Sequence, residues 1–284
     1  MSFAPDTLRD RVAIITGGGT GIGKGIALEM AKVGAKIAIA SRSMEHLEPT
    51  AEEVRRTTGQ PCIAVQTDVR DWDQCQRMAQ RVLEEYGRID ILVNNAAGNF
   101  TIRPEELTVN GWNAVIGIDL NGTWFCSRAV FPAMKEQRKG SIINILAFID
   151  RAAPLTVHAG AAKAGIWSMT MSLAVAWGPY GIRVNGVTPG GVPTLGTQRN
   201  LRLGLRPGEP DNLGGEEAIA RMQGAPTRNV PLGRTGTPRD IALACIFLAS
   251  DLADWITGVN LWVDGGGRLG RGLWEEGTPR ERLD

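Results

Sequence analysis

The residues that most directly imply chemistry form a glycine turn near the amino terminus. Gly17, Gly18, Gly19, Thr20, Gly21, Ile22 and Gly23 stand between a short apolar run, Arg11 to Thr16, and a segment of helical spacing, Lys24 to Val33. Strand, glycine turn and helix in that order can cradle a pyrophosphate. Glycine lets the backbone turn tightly and approach the phosphates, while the free amides and dipole of the helix start favour negative charge. The competing reading is an ordinary loop, against which the flanking strand and helix count. Cys62, Cys75, Cys126 and Cys245 are too widely spaced for a metal site or a disulfide framework. They read as reduced, mainly structural thiols, and no metal is expected.

A turn of this kind has to be held at the edge of a sheet. Apolar runs predict strands near 12–16, 36–40, 62–66, 89–93, 141–145, 182–187 and 259–263. Helical spacing predicts helices near 21–33, 44–57, 71–86, 104–117, 121–137, 155–178 and 237–249. The alternation predicts an α/β fold, a Rossmann-type doubly wound parallel sheet of about seven strands with helices on both faces. Ligands in such folds bind outside the carboxyl ends of the strands, where the winding reverses. With 284 residues and neither repeats nor low-complexity tracts, one domain over 1–284 is expected. A formal net charge of +1 makes no electrostatic case for nucleic acid, and no apolar run is long enough to span a membrane. The expected partner is a small molecule. Met1 to Arg11 lacks the layout of a secretory signal, so a cytoplasmic location is expected.

Thr16-Gly17 through Gly21-Ile22-Gly23, Asn94-Asn95-Ala96-Ala97-Gly98, Lys163, Asn185 and Pro189-Gly190 together resemble the short-chain dehydrogenase/reductase family over almost the full chain. The resemblance implies a nicotinamide cofactor held by Gly17, Gly19, Thr20, Gly21 and Ile22 at the turn and by Asn95, Ala96 and Ala97 after the fourth strand. Asp68 and Val69 would border the adenine, and Lys163 would hold the nicotinamide ribose. Pro189, Gly190 and Val192 would flank the carboxamide, and Asn94 and Gly98 would stabilise the sheet edge. The second strand ends Ala40-Ser41-Arg42-Ser43, where an NAD enzyme usually carries a carboxylate for the ribose hydroxyls. Ser41 and Arg42 suit a phosphate on that ribose instead, which makes NADPH the expected cofactor. The alternative is that Arg42 is a solvated residue entering the next helix.

Ordinary members of this family reduce carbonyls with a tyrosine, a lysine, a serine and an asparagine. Aligned on Lys163 and on Ile142-Ile143-Asn144-Ile145, this chain places Ala159 at the tyrosine, Ala147 at the serine and Asp119 at the asparagine. The two tyrosines, Tyr86 and Tyr180, are expected to lie out of reach. Hydride delivered to an isolated carbonyl leaves an alkoxide that needs a nearby donor at neutral pH. Three readings follow: protonation elsewhere in the substrate, a carbonyl/alcohol oxidoreductase with a non-tyrosine donor, or a nonenzymatic NADPH-binding protein.

Val157-His158-Ala159-Gly160-Ala161-Ala162-Lys163-Ala164, Asn95-Ala96-Ala97-Gly98-Asn99-Phe100, Ile118-Asp119 and Ala174-Val175-Ala176-Trp177-Gly178-Pro179 closely resemble the peroxisomal 2,4-dienoyl-CoA reductases. That subgroup also lacks the tyrosine and carries an aspartate and a lysine where this chain has Asp119 and Lys163. The resemblance implies NADPH-dependent reduction of an acyl-CoA in unsaturated fatty-acid breakdown, with Asp119 and Lys163 as catalytic residues. Hydride would reach the conjugated carbon, and a proton would be relayed through Asp119 and water. Asn99 and Phe100, with Ala147 and His158, are the expected border of the acyl chain or thioester; for His158 a packing or backbone-bonding role is favoured over direct proton transfer. The ending Glu281-Arg282-Leu283-Asp284 is unlike a peroxisomal address, in keeping with a cytoplasmic relative.

A substrate-covering segment is expected near 195–234. Arg199, Arg202, Arg206, Arg221 and Arg228 would either meet the phosphates of coenzyme A or sit on a solvated loop balanced by Glu209, Asp211, Glu216 and Glu217. In this family helices such as those near 121–137 and 155–178 form subunit contacts, which implies a homotetramer. Trp124, Phe125, Trp167 and Trp177 would serve that interface or the core. A C-terminal extension near 265–284 would fold across a neighbour or along its own subunit.

Overall fold

The structure, a computed structural model, describes residues 3–150, 152–196, 215–228 and 230–270. Seven strands pair in parallel: β1 (Val12–Thr16), β2 (Lys36–Ser41), β3 (Cys62–Gln66), β4 (Ile91–Asn94), β5 (Gly140–Ile145), β6 (Ile182–Pro189) and β7 (Asn260–Val263). Their order is β3-β2-β1-β4-β5-β6-β7, so the winding reverses between β1 and β4. The helices are α1 (Gly21–Lys32), α2 (Met44–Thr58), α3 (Trp72–Tyr86), α4 (Val109–Ile116), α5 (Gly122–Gln137), α6 (Val157–Trp177), α7 (Gly215–Met222) and α8 (Pro238–Ala249). This is the doubly wound α/β fold that the sequence pattern predicts.

Each sheet face has its own core, because successive side chains of a strand point to opposite sides. In β1, Ala13 and Ile15 pack with Ile26, Met30, Leu47 and Ile246 from α1, α2 and α8. Val12 and Ile14 face Met78, Val130, Met134 and Leu173 from α3, α5 and α6. Burying such side chains stabilises the fold by about 1.5–3 kcal/mol each. The carboxyl ends of the strands are thereby fixed as one rigid edge.

Helix boundaries follow local capping. Gly59 and Gly87 end α2 and α3 in the left-handed conformation that favours glycine. Thr237 and Asp240 form a reciprocal capping box at the start of α8. Arg234 donates to both Asp240 oxygens at 2.8 Å. That guanidinium, with the Thr237 hydroxyl, holds the Asp240 carboxyl down to about 2.

Three elements depart from expectation. The helix expected near 104–117 is confined to α4. Pro104–Glu106 forms a separate 3₁₀ turn, and Thr108 caps the following helix by accepting from the Gly111 amide at 3.0 Å. The chain then does not break before α5, because Gly117–Asn121 forms a π-helical turn joining the two helices. The fourth strand begins at Ile91, since the Asp90 carboxylate accepts from the Val12 amide at 2.9 Å and from the Arg88 guanidinium. Arg199, Arg202, Arg206, Glu209, Asp211 and the chain beyond residue 270 lie outside the described residues.

Candidate active site

At the winding reversal the ends of β1 and β4 are tied together. The Thr16 hydroxyl accepts from the amides of Asn95 and Ala96 at 3.0 Å each, and the Asn95 side-chain amide donates to the Thr16 carbonyl at 2.9 Å. Gly17 leaves this junction with φ +64°, and a Cβ there would stand 2.8 Å from Asn95 Nδ2 and 3.1 Å from the Ala96 Cα. Only glycine fits without displacing backbone.

The turn opens into a groove of about 710 Å³. Ser41, Arg42, Asp68 and Val69 line it together with Gly17, Gly19, Thr20, Gly21, Ile22, Asn95, Ala96 and Ala97. The Arg70 guanidinium clasps Asp68 and holds its carboxyl below the usual range. No carboxylate occupies the end of β2, which reads Ala40, Ser41, Arg42. The groove's lining, the forced glycine and the helix start at Gly21 fit a dinucleotide.

The groove runs into a second cavity of about 530 Å³, and Ile22, Asn95 and Ala97 line both. Pro189, Gly190, Val192, Asn99, Ala147, Asp119 and Lys163 complete much of its wall. Asp119 sits on the π turn and is 1% exposed. Such turns insert an extra residue and re-aim the side chains around it, and they recur at functional sites. Asp119 Oδ1 accepts from the Gly98 amide at 2.7 Å, and its Oδ2 lies 3.7 Å from Lys163 Nζ. Lys163, on α6, donates from Nζ to the Ile145 carbonyl at the end of β5, at 2.8 Å. Burial pushes the Asp119 carboxyl up, with the Lys163 charge and the Gly98 amide opposing it.

A buried polar ladder fastens the elements that carry this pair. Asn94 Nδ2 donates to Ser127 Oγ and Asn144 Oδ1 at 2.9 Å, and Asn144 Nδ2 donates to Thr170 Oγ1 at 2.8 Å. It thus joins β4 and β5 to α5 and α6. The Gly98 amide, the Ile145 carbonyl and this ladder were not expected as supports of the pair. Backbone groups leave no residue-type signal, and Asn144 reads as one polar residue in a strand.

Ala147 opens onto the cavity and Ala159 lines it, so the two positions where the resemblance predicts missing hydroxyls face the same space as Asp119 and Lys163. Tyr86 donates to the Ile37 carbonyl and Tyr180 packs on Phe131, so neither lines the cavity. Phe100 and His158 pack on each other instead of lining the cavity. His158 is fully buried with its ring edge-on to Phe100 at 4.5 Å, and neither residue lines the cavity. Burial pushes the His158 pKa down, against the pull of the Thr156 backbone and the Asp119 carboxylate, and favours the neutral ring. Arg221, on α7, and Arg228 also lie outside this lining. Trp177 is buried and stacks against Phe131 and Trp124, Phe125 packs on the core, and Trp124 is 39% exposed. Among the described residues, no group of three His, Cys, Asp or Glu could hold a metal ion, and no helix is long and apolar enough to cross a membrane.

A parallel sheet with a glycine turn, a dinucleotide groove and a buried acid–lysine pair at its switch point defines a nicotinamide-dependent oxidoreductase. The chain belongs to the short-chain dehydrogenase/reductase family: the short chain dehydrogenase model matches residues 11–202, and the enoyl-(acyl carrier protein) reductase model matches residues 209–267. It is 40% identical over 268 residues to the (3E)-enoyl-CoA-producing peroxisomal 2,4-dienoyl-CoA reductase of Danio rerio, covering 94% of this chain and 84% of that one. It is also 40% identical over 262 residues to a Bacillus subtilis protein named "Probable 2,4-dienoyl-CoA reductase", (2E)-enoyl-CoA-producing, covering 91% of this chain and 97% of that one. A crystal structure of a short chain dehydrogenase from Bacillus anthracis matches with TM-score 0.77 and 41% identity, covering 96% of this chain and all of that one.

Proposed function

We propose that this enzyme reduces 2,4-dienoyl thioesters of coenzyme A with NADPH. The observation that carries the reading is the buried Asp119–Lys163 pair facing a cavity in which alanine stands at both positions where a hydroxyl donor would act. When bound, the reduced nicotinamide supplies hydride to carbon 5 of the conjugated substrate. The electron pair then spreads over an extended dienolate, and one proton must reach carbon 2 or carbon 4.

Asp119 is the group built to hold that proton. Burial raises its pKa, so its acid form persists to higher pH than an exposed aspartate would allow. Its Oδ1 is occupied by the Gly98 amide, which leaves Oδ2, on the Lys163 side, to exchange a proton with a bridging water. Lys163 is anchored by the Ile145 carbonyl and so presents fixed positive charge beside the relay and the ribose site. Ser41 and Arg42 would bind the phosphate that distinguishes NADPH from NADH. The exposed Val109, Trp124, Met171 and Val175 on α4, α5 and α6 support assembly as a homotetramer.

The test is direct. Purified enzyme is mixed with NADPH and 2-trans,4-trans-decadienoyl-CoA, and absorbance of the dienoyl thioester and of the cofactor is followed. Loss of both in equal amounts is expected. No loss, with NADPH binding verified by fluorescence and several chain lengths tried, overturns the reading.

A further inference from the structure

The cavity that holds Asp119 and Lys163 is walled on the side of the β5–α6 connection by Ala147, Phe148, Ala152, Ala153 and Thr156. Phe148 is the one aromatic side chain among the described residues that line it. The neighbouring alanines have no rotatable reach, so the width of this wall depends on where the Phe148 ring stands. Nothing in the acid–lysine chemistry requires an aromatic residue here.

Residues from the far end of the chain fix that ring. Phe148 stacks on Trp262 of β7, with ring centroids 5.8 Å apart and planes 28° from parallel. The Arg268 guanidinium lies over the Trp262 ring, 4.7 Å from its centroid, and its Nη1 is 3.7 Å from Asp150 Oδ2. The contacts therefore run from Phe148 through Trp262 and Arg268 back to Asp150, two residues beyond Phe148. Asp264 holds the turn that carries Arg268, accepting from the Gly266 amide at 2.9 Å and the Arg268 amide at 2.7 Å. Asp150 and Arg268 are partly solvated, so their ion pair contributes less to the clamp than the aromatic stack does.

We infer that Phe148, clamped by Trp262 and Arg268, is the specificity-determining residue for the size of the acyl group: its ring restricts the cavity to slender or short chains. This rests on the proposed dienoyl-CoA reductase function and names a determinant within that site. Phe148 touches the acyl chain, while Trp262 and Arg268 are positioning residues that act through it.

The experiment compares kcat/KM for 2,4-hexadienoyl-CoA and 2,4-hexadecadienoyl-CoA in the wild type and in the Phe148→Ala, Phe148→Leu and Arg268→Gln enzymes. Dissociation constants for the saturated six- and sixteen-carbon acyl-CoAs provide a reading independent of turnover. Discrimination per methylene in an apolar pocket spans about tenfold or more. Phe148→Ala is therefore expected to raise the long-to-short ratio at least about tenfold, in both kcat/KM and binding. Phe148→Leu should shift the ratio part of the way, and Arg268→Gln less still in the same direction. If Phe148→Ala fails to fold, Phe148→Leu decides. A wild-type enzyme active on dienoyl-CoA, with length ratios in the variants unchanged or lowered, overturns the assignment of Phe148 and leaves the functional reading standing. A wild-type enzyme that binds NADPH but reduces neither of these thioesters nor 2,4-decadienoyl-CoA overturns the functional reading, and this inference with it.

Discussion

Asp119→Asn removes one titratable carboxyl from the cavity and little else. The new side chain has the same shape, its Oδ1 can still accept from the Gly98 amide, and the Thr123 hydroxyl still bonds the backbone carbonyl of residue 119. What is lost is a carboxylate 3.7 Å from Lys163 Nζ. At an effective dielectric near 20 that attraction is about 4 kcal/mol before the cost of burying either charge. Burial nevertheless raises the Asp119 pKa overall, so desolvation outweighs the attraction and a neutral amide should be well accommodated. An acid whose folded pKa is raised contributes stability below its unfolded pKa and loses it as pH rises through the folded one. Asp119→Asn should therefore gain stability relative to the wild type as pH increases, so the difference in Tm between the two should move in the variant's favour from pH 5 to pH 8. Turnover should behave oppositely. Loss of a general acid costs about 10²–10⁴-fold in rate, which is about 3–5 kcal/mol of barrier. The wild-type kcat should fall as pH rises through the Asp119 pKa, and the variant should lack that limb. Steady-state rates across pH, a fluorescence titration for NADPH and thermal melts at pH 5 and pH 8 together make the test. A variant with near wild-type turnover and an intact pH limb would refute the proton role of Asp119.

Other perturbations read separate parts of the molecule. Arg42→Ala should weaken NADPH binding by about 10–100-fold, the worth of charge-assisted hydrogen bonds to a phosphate, and leave NADH binding nearly unchanged; equal losses with both cofactors, by fluorescence titration, would place Arg42 outside the phosphate site. Gly17→Ala brings a Cβ to 2.8 Å from Asn95 Nδ2 at φ +64°, and should cost about 1–3 kcal/mol in urea melts and abolish cofactor binding. Normal binding by that variant would mean that the turn does not contact the dinucleotide. Asp240→Asn loses a carboxyl held down to about 2 from an ordinary 3.8, and Asp240 is 27% exposed at its side chain. A depressed carboxyl stabilises the fold above its unfolded pKa and ceases to do so as pH falls through the folded one. The variant should lose about 1–2 kcal/mol at pH 7 and progressively less as pH falls toward 2; a loss independent of pH would show that the charge is not the source.

The sheet was legible because β1, β4 and β5 are buried at every position, and strands covered on both faces must read as unbroken apolar runs. The glycine turn was legible because its conformation leaves few other residue types possible. The π turn was not. Nothing in Gly117-Ile118-Asp119-Leu120-Asn121 distinguishes it from a break between two helices, and the contact that its Asp119 makes, with the Gly98 amide, is remote in sequence. Phe100 and His158 each neighbour a residue that lines the cavity, Asn99 or Ala159, without lining it themselves. Consecutive helical residues point about 100° apart, so adjacency in sequence sends His158 into the core while Ala159 faces the cavity. Phe148 carried no signal because its partner, Trp262, lies on another strand far along the chain.

Geometry also constrains how a proton can travel. Among the described residues lining the cavity, only Asp119 and Lys163 carry ionisable side chains, and both are pinned, Asp119 to the Gly98 amide and Lys163 to the Ile145 carbonyl. Neither can swing to a substrate oxygen as a tyrosine at position 159 would project toward one. A relayed proton arrives less directly than one delivered by a phenol already in contact. Such a site suits a substrate that keeps its negative charge spread over several atoms until the proton reaches carbon, which a conjugated dienoyl thioester does and an isolated ketone does not. Replacing the phenol with Ala159 and the neighbouring hydroxyl with Ala147 has a second effect, because it leaves apolar space beside the acid–lysine pair. On the proposed reading, the same two alanines that deny the site carbonyl chemistry make room for the carbon chain that conjugated chemistry requires.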